Sequence, residues 1–86
     1  MSEFKLKYPV TVDGEEITSL NLRRVNVLDL EVMEKQQGQL TRSVTLLSQV
    51  SERSPDVIRQ MDAADFNAAS DLVADFLEYP RSGSDR

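Results

Sequence analysis

The apolar residues of this chain change their spacing once, at Asn26, and that change constrains the fold more than any other feature. Before Asn26, Phe4, Leu6, Tyr8, Val10 and Val12 recur at every second position, with Lys5, Lys7 and Thr11 between them. Period 2 is the mark of a half-buried strand. After Asn26 the apolar residues recur at three and four, the mark of helices with one face turned inward. A strand unit followed by a run of helices defines an α+β domain. The expected architecture is an N-terminal β-hairpin, residues 3–24, followed by a small bundle of three to four α-helices within residues 27–78.

Asp13-Gly14 supplies the hairpin turn, since Gly tolerates positive φ. The second strand holds Leu20 and Leu22 in phase, but Ile17 is out of step with them. A three-residue loop, Asp13-Gly14-Glu15, resolves this by setting Leu20 opposite Tyr8 and Leu22 opposite Leu6. It leaves Ile17 opposite Thr11 on the other face. Pro9 has no N–H for a ladder, so its bond belongs at an edge or a bulge. A lone hairpin is barely stable, and this one must be covered by the helices.

Asn26 is a good N-cap, and Asp29 three residues later completes an acidic capping box, with Gly38 as the stop. The helix so bounded is apolar on two sides, with Val27 and Leu30 on one, Leu28 and Val32 on another and Met33 between. Such a helix is either sandwiched in the core or offers one side to a partner. Val27 and Leu30 follow the hairpin directly and are expected beneath it, which makes Leu28, Val32 and Met33 the candidate partner-binding residues. Leu40, Val44, Leu47 and Val50 mark the next helix. Ser54-Pro55-Asp56 reads as a cap, a proline at the first helical position and a first-turn acid, opening a short helix with Val57, Ile58 and Met61. Asp62 and Asp65 repeat the cap-plus-acid pattern before the last helix. There Phe66, Ala69, Val73 and Phe76 form the inner stripe, opposite Asp71, Asp75 and Glu78. Pro80 stops it. Residues 1–79 are expected to form one domain, with 80–86 a disordered polar tail.

Composition narrows the chemistry. With no Cys and no His, the chain has no thiol nucleophile, no thiolate or imidazole metal ligand and no ordinary acid–base group near neutral pH. Fifteen acids against 10 bases give a net charge of -5, the wrong sign for gripping phosphates. Asp71, Asp75 and Glu78 read as a solvated helix face rather than a metal site, because a hard cation needs ligands converging from a turn or several elements. Asp13-Gly14-Glu15-Glu16 lacks the alternating ligands of a calcium loop. Gly14, Gly38 and Gly83 are the only glycines and form no phosphate-binding loop. Arg23-Arg24, the one adjacent basic pair, is a candidate contact to an acidic partner, or else pairs within the chain. No apolar run approaches the ~20 residues of a membrane span and the start lacks a signal-peptide core, so a soluble, unexported protein is expected. The expected partners are proteins, without nucleic acid, membrane, small-molecule substrate, metal or cofactor.

Three blocks in order carry a family resemblance. They are Pro9-Val10-Thr11-Val12-Asp13-Gly14 running on to Leu20-Asn21-Leu22-Arg23-Arg24, then Asp29-Leu30-Glu31, then Ser54-Pro55-Asp56-Val57-Ile58 leading to Met61-Asp62-Ala63-Ala64-Asp65-Phe66. Together they resemble the short tail assembly chaperones of contractile-tailed, Mu-like phages, over about Phe4 to Leu77. Asn26 stands where that family usually has a Thr cap, and residues 36–49 follow no family pattern. The resemblance implies a hairpin plus helical bundle and a non-enzymatic role, in which the protein binds the tape measure protein, keeps it soluble and helps to recruit tail tube subunits. It also implies residence in the cytoplasm of the bacterial host and absence from the finished virion. The competing expectation is a small structural or adaptor protein retained in the tail. A face left uncovered on the helix after Asn26 suits either a helical partner or a homo-oligomer.

Overall fold

A computed structural model describes residues 2–77 of the chain. Two antiparallel strands, β1 (Ser2–Val12) and β2 (Glu15–Leu22), are followed by α1 (Val27–Glu34), α2 (Gln39–Ser51), α3 (Pro55–Arg59) and α4 (Ala63–Leu77). The expected α+β architecture, a hairpin and then four helices, is what forms. Glu78 and the polar tail 80–86 lie outside the described residues.

The hairpin turn is tighter than the sequence pattern suggests. Val12 pairs with Glu15, leaving a two-residue turn of Asp13 (φ 52) and Gly14 (φ 80), the double positive φ that suits a right-twisted hairpin. The phase break at Ile17 is absorbed further along. Lys5 pairs with Ser19 and Val10 with Ile17, so residues 6–9 of β1 face Thr18 alone. This irregularity holds Pro9, as a proline in a ladder requires. It changes the register parity, so that Ile17, Leu20 and Leu22 are all buried despite their uneven spacing, while Tyr8 turns out to solvent. Phe4 thus faces Leu20, where the three-residue loop would have set Tyr8.

The inner face of the hairpin, Leu6, Ile17, Leu20 and Leu22, meets Val44, Leu47 and Val50 of α2. Val57, Ile58, Met61, Ala69 and Val73 from α3, its exit and α4 complete the core. The entries of α3 and α4 have the chemistry read from their caps. Ser54 Oγ accepts from the Val57 amide, and Asp62 caps α4 through the Ala64 amide. The end of α2 is unusual, since Glu52 takes the left-handed conformation (φ 57) that glycine commonly supplies. The Arg53 amide then returns to the Ser48 carbonyl, and Ser48 Oγ donates to the Arg53 carbonyl. Gly38 (φ 91) opens α2 rather than closing α1, which stops a turn earlier at Lys35 because Lys35-Gln36-Gln37 offers nothing apolar to bury.

Asp65 does something that the cap-plus-acid pattern gave no hint of. It is 3% exposed, and its two carboxylate oxygens accept from the Lys7 amide (3.1 Å) and the Tyr8 amide (3.0 Å). The irregular stretch of β1 has donors that β2 does not use, and α4 supplies their acceptor. An edge strand's free amides are thereby covered.

Candidate functional site

α1 follows the hairpin after a four-residue link and lies against α2. Its N-terminus is fixed by the capping box: Asp29 N–H donates to Asn26 Oδ1 (3.0 Å) and Asn26 N–H to Asp29 Oδ2 (2.9 Å). The Asp29 carboxylate also receives a bidentate fork from Arg23, with NH1 to Oδ2 at 2.7 Å and NH2 to Oδ1 at 2.9 Å. Gln49 Nε2 adds a longer bond of 3.4 Å to Oδ1. Arg23 extends the network through NH2 to the Gln49 carbonyl (3.0 Å), NH1 to the Arg24 carbonyl (3.0 Å) and Nε beside Glu52 (3.4 Å). Asp29 is 1% exposed, which its surplus of donors makes tolerable. The Arg23 fork holds its carboxyl below the ordinary carboxylate range. Burial acts in the opposite direction, and the Asn26 amide reinforces the lowering.

The apolar residues of α1 contrast with this anchored carboxylate. Val27 is 72% exposed and Leu28 62%, while Leu30, Val32 and Met33 are half-buried. None of the five belongs to the core or to the apolar fringe packed on it. Val27 therefore does not pack beneath the hairpin. The hairpin is covered by α2 and α4, and α1 lies on the flank of α2. Val27, Leu28, Leu30 and Val32 line an open depression with Glu31, Glu34 and Lys35. Of the candidate partner-binding residues, Leu28 and Val32 share that depression, and Met33 lies outside its lining. Elsewhere Leu40 on α2 and Tyr8 on β1 are also exposed.

The structure separates the two arginines from that face. Arg23 is committed to Asp29, Gln49 and Glu52, the intramolecular pairing that the sequence left open. Arg24 NH2 reaches the Phe76 carbonyl at the end of α4 (3.0 Å). Sequence reasoning identified Asp29 as a capping residue but missed its pairing with Arg23, although the two flank the same strand-to-helix joint. Among the described residues no group of three or more acidic side chains is placed to hold a metal ion. No helix among them is long and apolar enough to cross a membrane.

The chain is thus a small α+β domain that carries an exposed apolar patch on an anchored helix. The family model described as phage tail assembly chaperone proteins, E, or 41 or 14, matches residues 3–78, and the chain belongs to this family. No curated protein and no solved structure matches the chain.

Proposed function

We propose that this tail assembly chaperone binds the tape measure protein, keeps it soluble during tail morphogenesis and helps recruit tail tube subunits. It acts without catalysis, in the host cytoplasm, and leaves before the virion is complete. The supporting observation is the exposed Val27 and Leu28 on a helix whose position is set by the Arg23–Asp29 network. An apolar stripe on a long helical partner fits this depression in the helix-on-helix manner, with Val32 part of its lining.

The test is a Leu28→Glu, Val32→Lys double variant, whose opposite charges at i,i+4 keep helix propensity. Co-expressed with the tape measure protein of the same tail, it should fold by circular dichroism yet leave that protein insoluble. A folded double variant that solubilises the tape measure protein as well as the parent does would refute the assignment of the face. Finding the protein in purified particles would favour the retained adaptor.

A further inference from the structure

The half of α1 that faces inward is held in an unusual way for a helix of a small domain. Helices in small domains are normally fixed by an apolar stripe driven into the core, because eight residues have little helical stability of their own. α1 contributes no residue to the core, and its one fully buried side chain is a carboxylate. Its attachment runs through the Arg23 fork, the Gln49 bond and the capping box, all converging on Asp29. Before α1, Arg24 reaches the Phe76 carbonyl and Val25 packs on the core, which leaves Asn26 as the joint of the arm; after it Lys35, Gln36 and Gln37 lead to Gly38 at φ 91. At its C-terminal end the Gln36 carbonyl is tied down by Arg42 Nε (3.0 Å). The half-buried Leu30, Val32 and Met33 are the apolar surface that this polar attachment keeps covered.

We infer that α1 is a latched arm: the Arg23–Asp29 pair holds it on α2, and it opens as a unit while the hairpin, α2, α3 and α4 stay folded, uncovering Leu30, Val32 and Met33. The core is complete without it, so its release costs the latch and a half-buried stripe rather than the packing of the domain. Local opening of this kind draws on elements with few buried apolar contacts. The open arm presents apolar residues on both of its sides, which is the pattern that the sequence shows around the helix. A partner helix seated on α1 would then meet a larger apolar surface than the closed form offers; that consequence alone rests on the function proposed above.

Amide hydrogen exchange on the full chain tests the latch without any partner. In the unmodified protein the Leu30, Lys35 and Gln36 amides, bonded to the Asn26, Val32 and Met33 carbonyls, should exchange at least about tenfold faster than those of Leu47 and Val50 in α2. Asp29→Asn should speed the α1 amides about a further tenfold or more and raise the fluorescence of added anilinonaphthalene sulfonate, with the α2 and α4 amides much less affected. Arg23→Lys, which keeps the charge but loses the fork, should give an intermediate increase. If the α1 amides of the unmodified chain exchange together with those of the α2 core, the arm does not open alone and the inference is overturned. The same holds if Asp29→Asn speeds α1, α2 and α4 equally. The unmodified chain decides the matter even where a variant fails to fold.

Discussion

Replacing Asp65 separates a capping acid from a structural clamp. As a first-turn residue of an exposed helix, Asp65 would contribute a few tenths of a kcal/mol through the helix dipole. As a clamp it accepts two backbone amides from the irregular stretch of β1, at 3.1 and 3.0 Å, from a nearly fully buried position. A hydrogen bond to a charged group contributes about 1.5–3 kcal/mol, so the pair has an upper bound of about 3–6 kcal/mol. The Lys7 and Tyr8 side chains are exposed, and water can reach part of that stretch once the carboxylate is gone. Asp65→Ala should therefore cost about 2–4 kcal/mol. Asp65→Asn retains one acceptor but turns an NH2 group toward the second amide, and should cost about 2 kcal/mol or more despite its matching volume. Urea unfolding at neutral pH, followed by far-UV circular dichroism, measures both costs, and the Lys7 and Tyr8 amides should lose their exchange protection in both variants. An Asp65→Asn protein within about 0.5 kcal/mol of the parent, with those two amides still protected, would show that β1 does not depend on α4 for its free donors.

Three further outcomes follow from the same geometry. The Asp29 carboxyl is lowered in the folded state, so the stability it adds is fully present above its unfolded value of about 3.9 and is lost as pH falls through its lower folded value. A urea midpoint against pH should fall below about pH 4, and Asp29→Asn should flatten that limb by removing the carboxyl that Arg23, Gln49 and the Asn26 amide surround. Val73, 2% exposed, should cost about 2 kcal/mol on truncation to Ala. Phe76 is only half-buried, so Phe76→Ala should fall short of the roughly 3–5 kcal/mol of a fully buried phenylalanine; denaturant melts of the two variants make the comparison. Chelator or millimolar Mg²⁺ or Ca²⁺ should leave the thermal midpoint nearly unchanged, since no convergent acidic ligand set lies among the described residues.

The elements were legible because their signals are local. Asp13-Gly14, the Asn26 and Ser54 caps, Pro55 and the spacing of Val44, Leu47 and Val50 act within a turn or two of chain, and each performs as its chemistry requires. What the sequence concealed lies in pairings across distance. Ile17 stood out of phase, and the misfit belongs to the stretch around Pro9 rather than to the turn; the parity of one strand cannot say where its partner slips. Asp65 looked like a helix-start acid because its role depends on amides 57 and 58 residues away. Val27 looked destined for the hairpin because it follows it closely, yet α2 and α4 come later in the chain and take that place.

Two buried carboxylates thus do at the joints of this domain what additional apolar packing does in larger ones. Asp65 joins α4 to the irregular part of β1, and Asp29 joins α1 to the end of the hairpin and to α2. Among the described residues the two clusters share no donor. Sites with no shared partner lose stability additively, to within about 0.3–0.5 kcal/mol, whereas a shared network departs from the sum by about 0.5–3 kcal/mol. The Asp29→Asn, Asp65→Asn double variant should therefore cost the sum of its single changes in urea unfolding. A double variant that costs clearly less would mean that opening one joint has already loosened the other, and the hairpin would then be the element that couples them. A larger cost than the sum would mean that each carboxylate backs up the other in holding the hairpin to the helices. Additivity is the outcome that leaves α1 free to move on its own latch while Asp65 keeps the hairpin on α4.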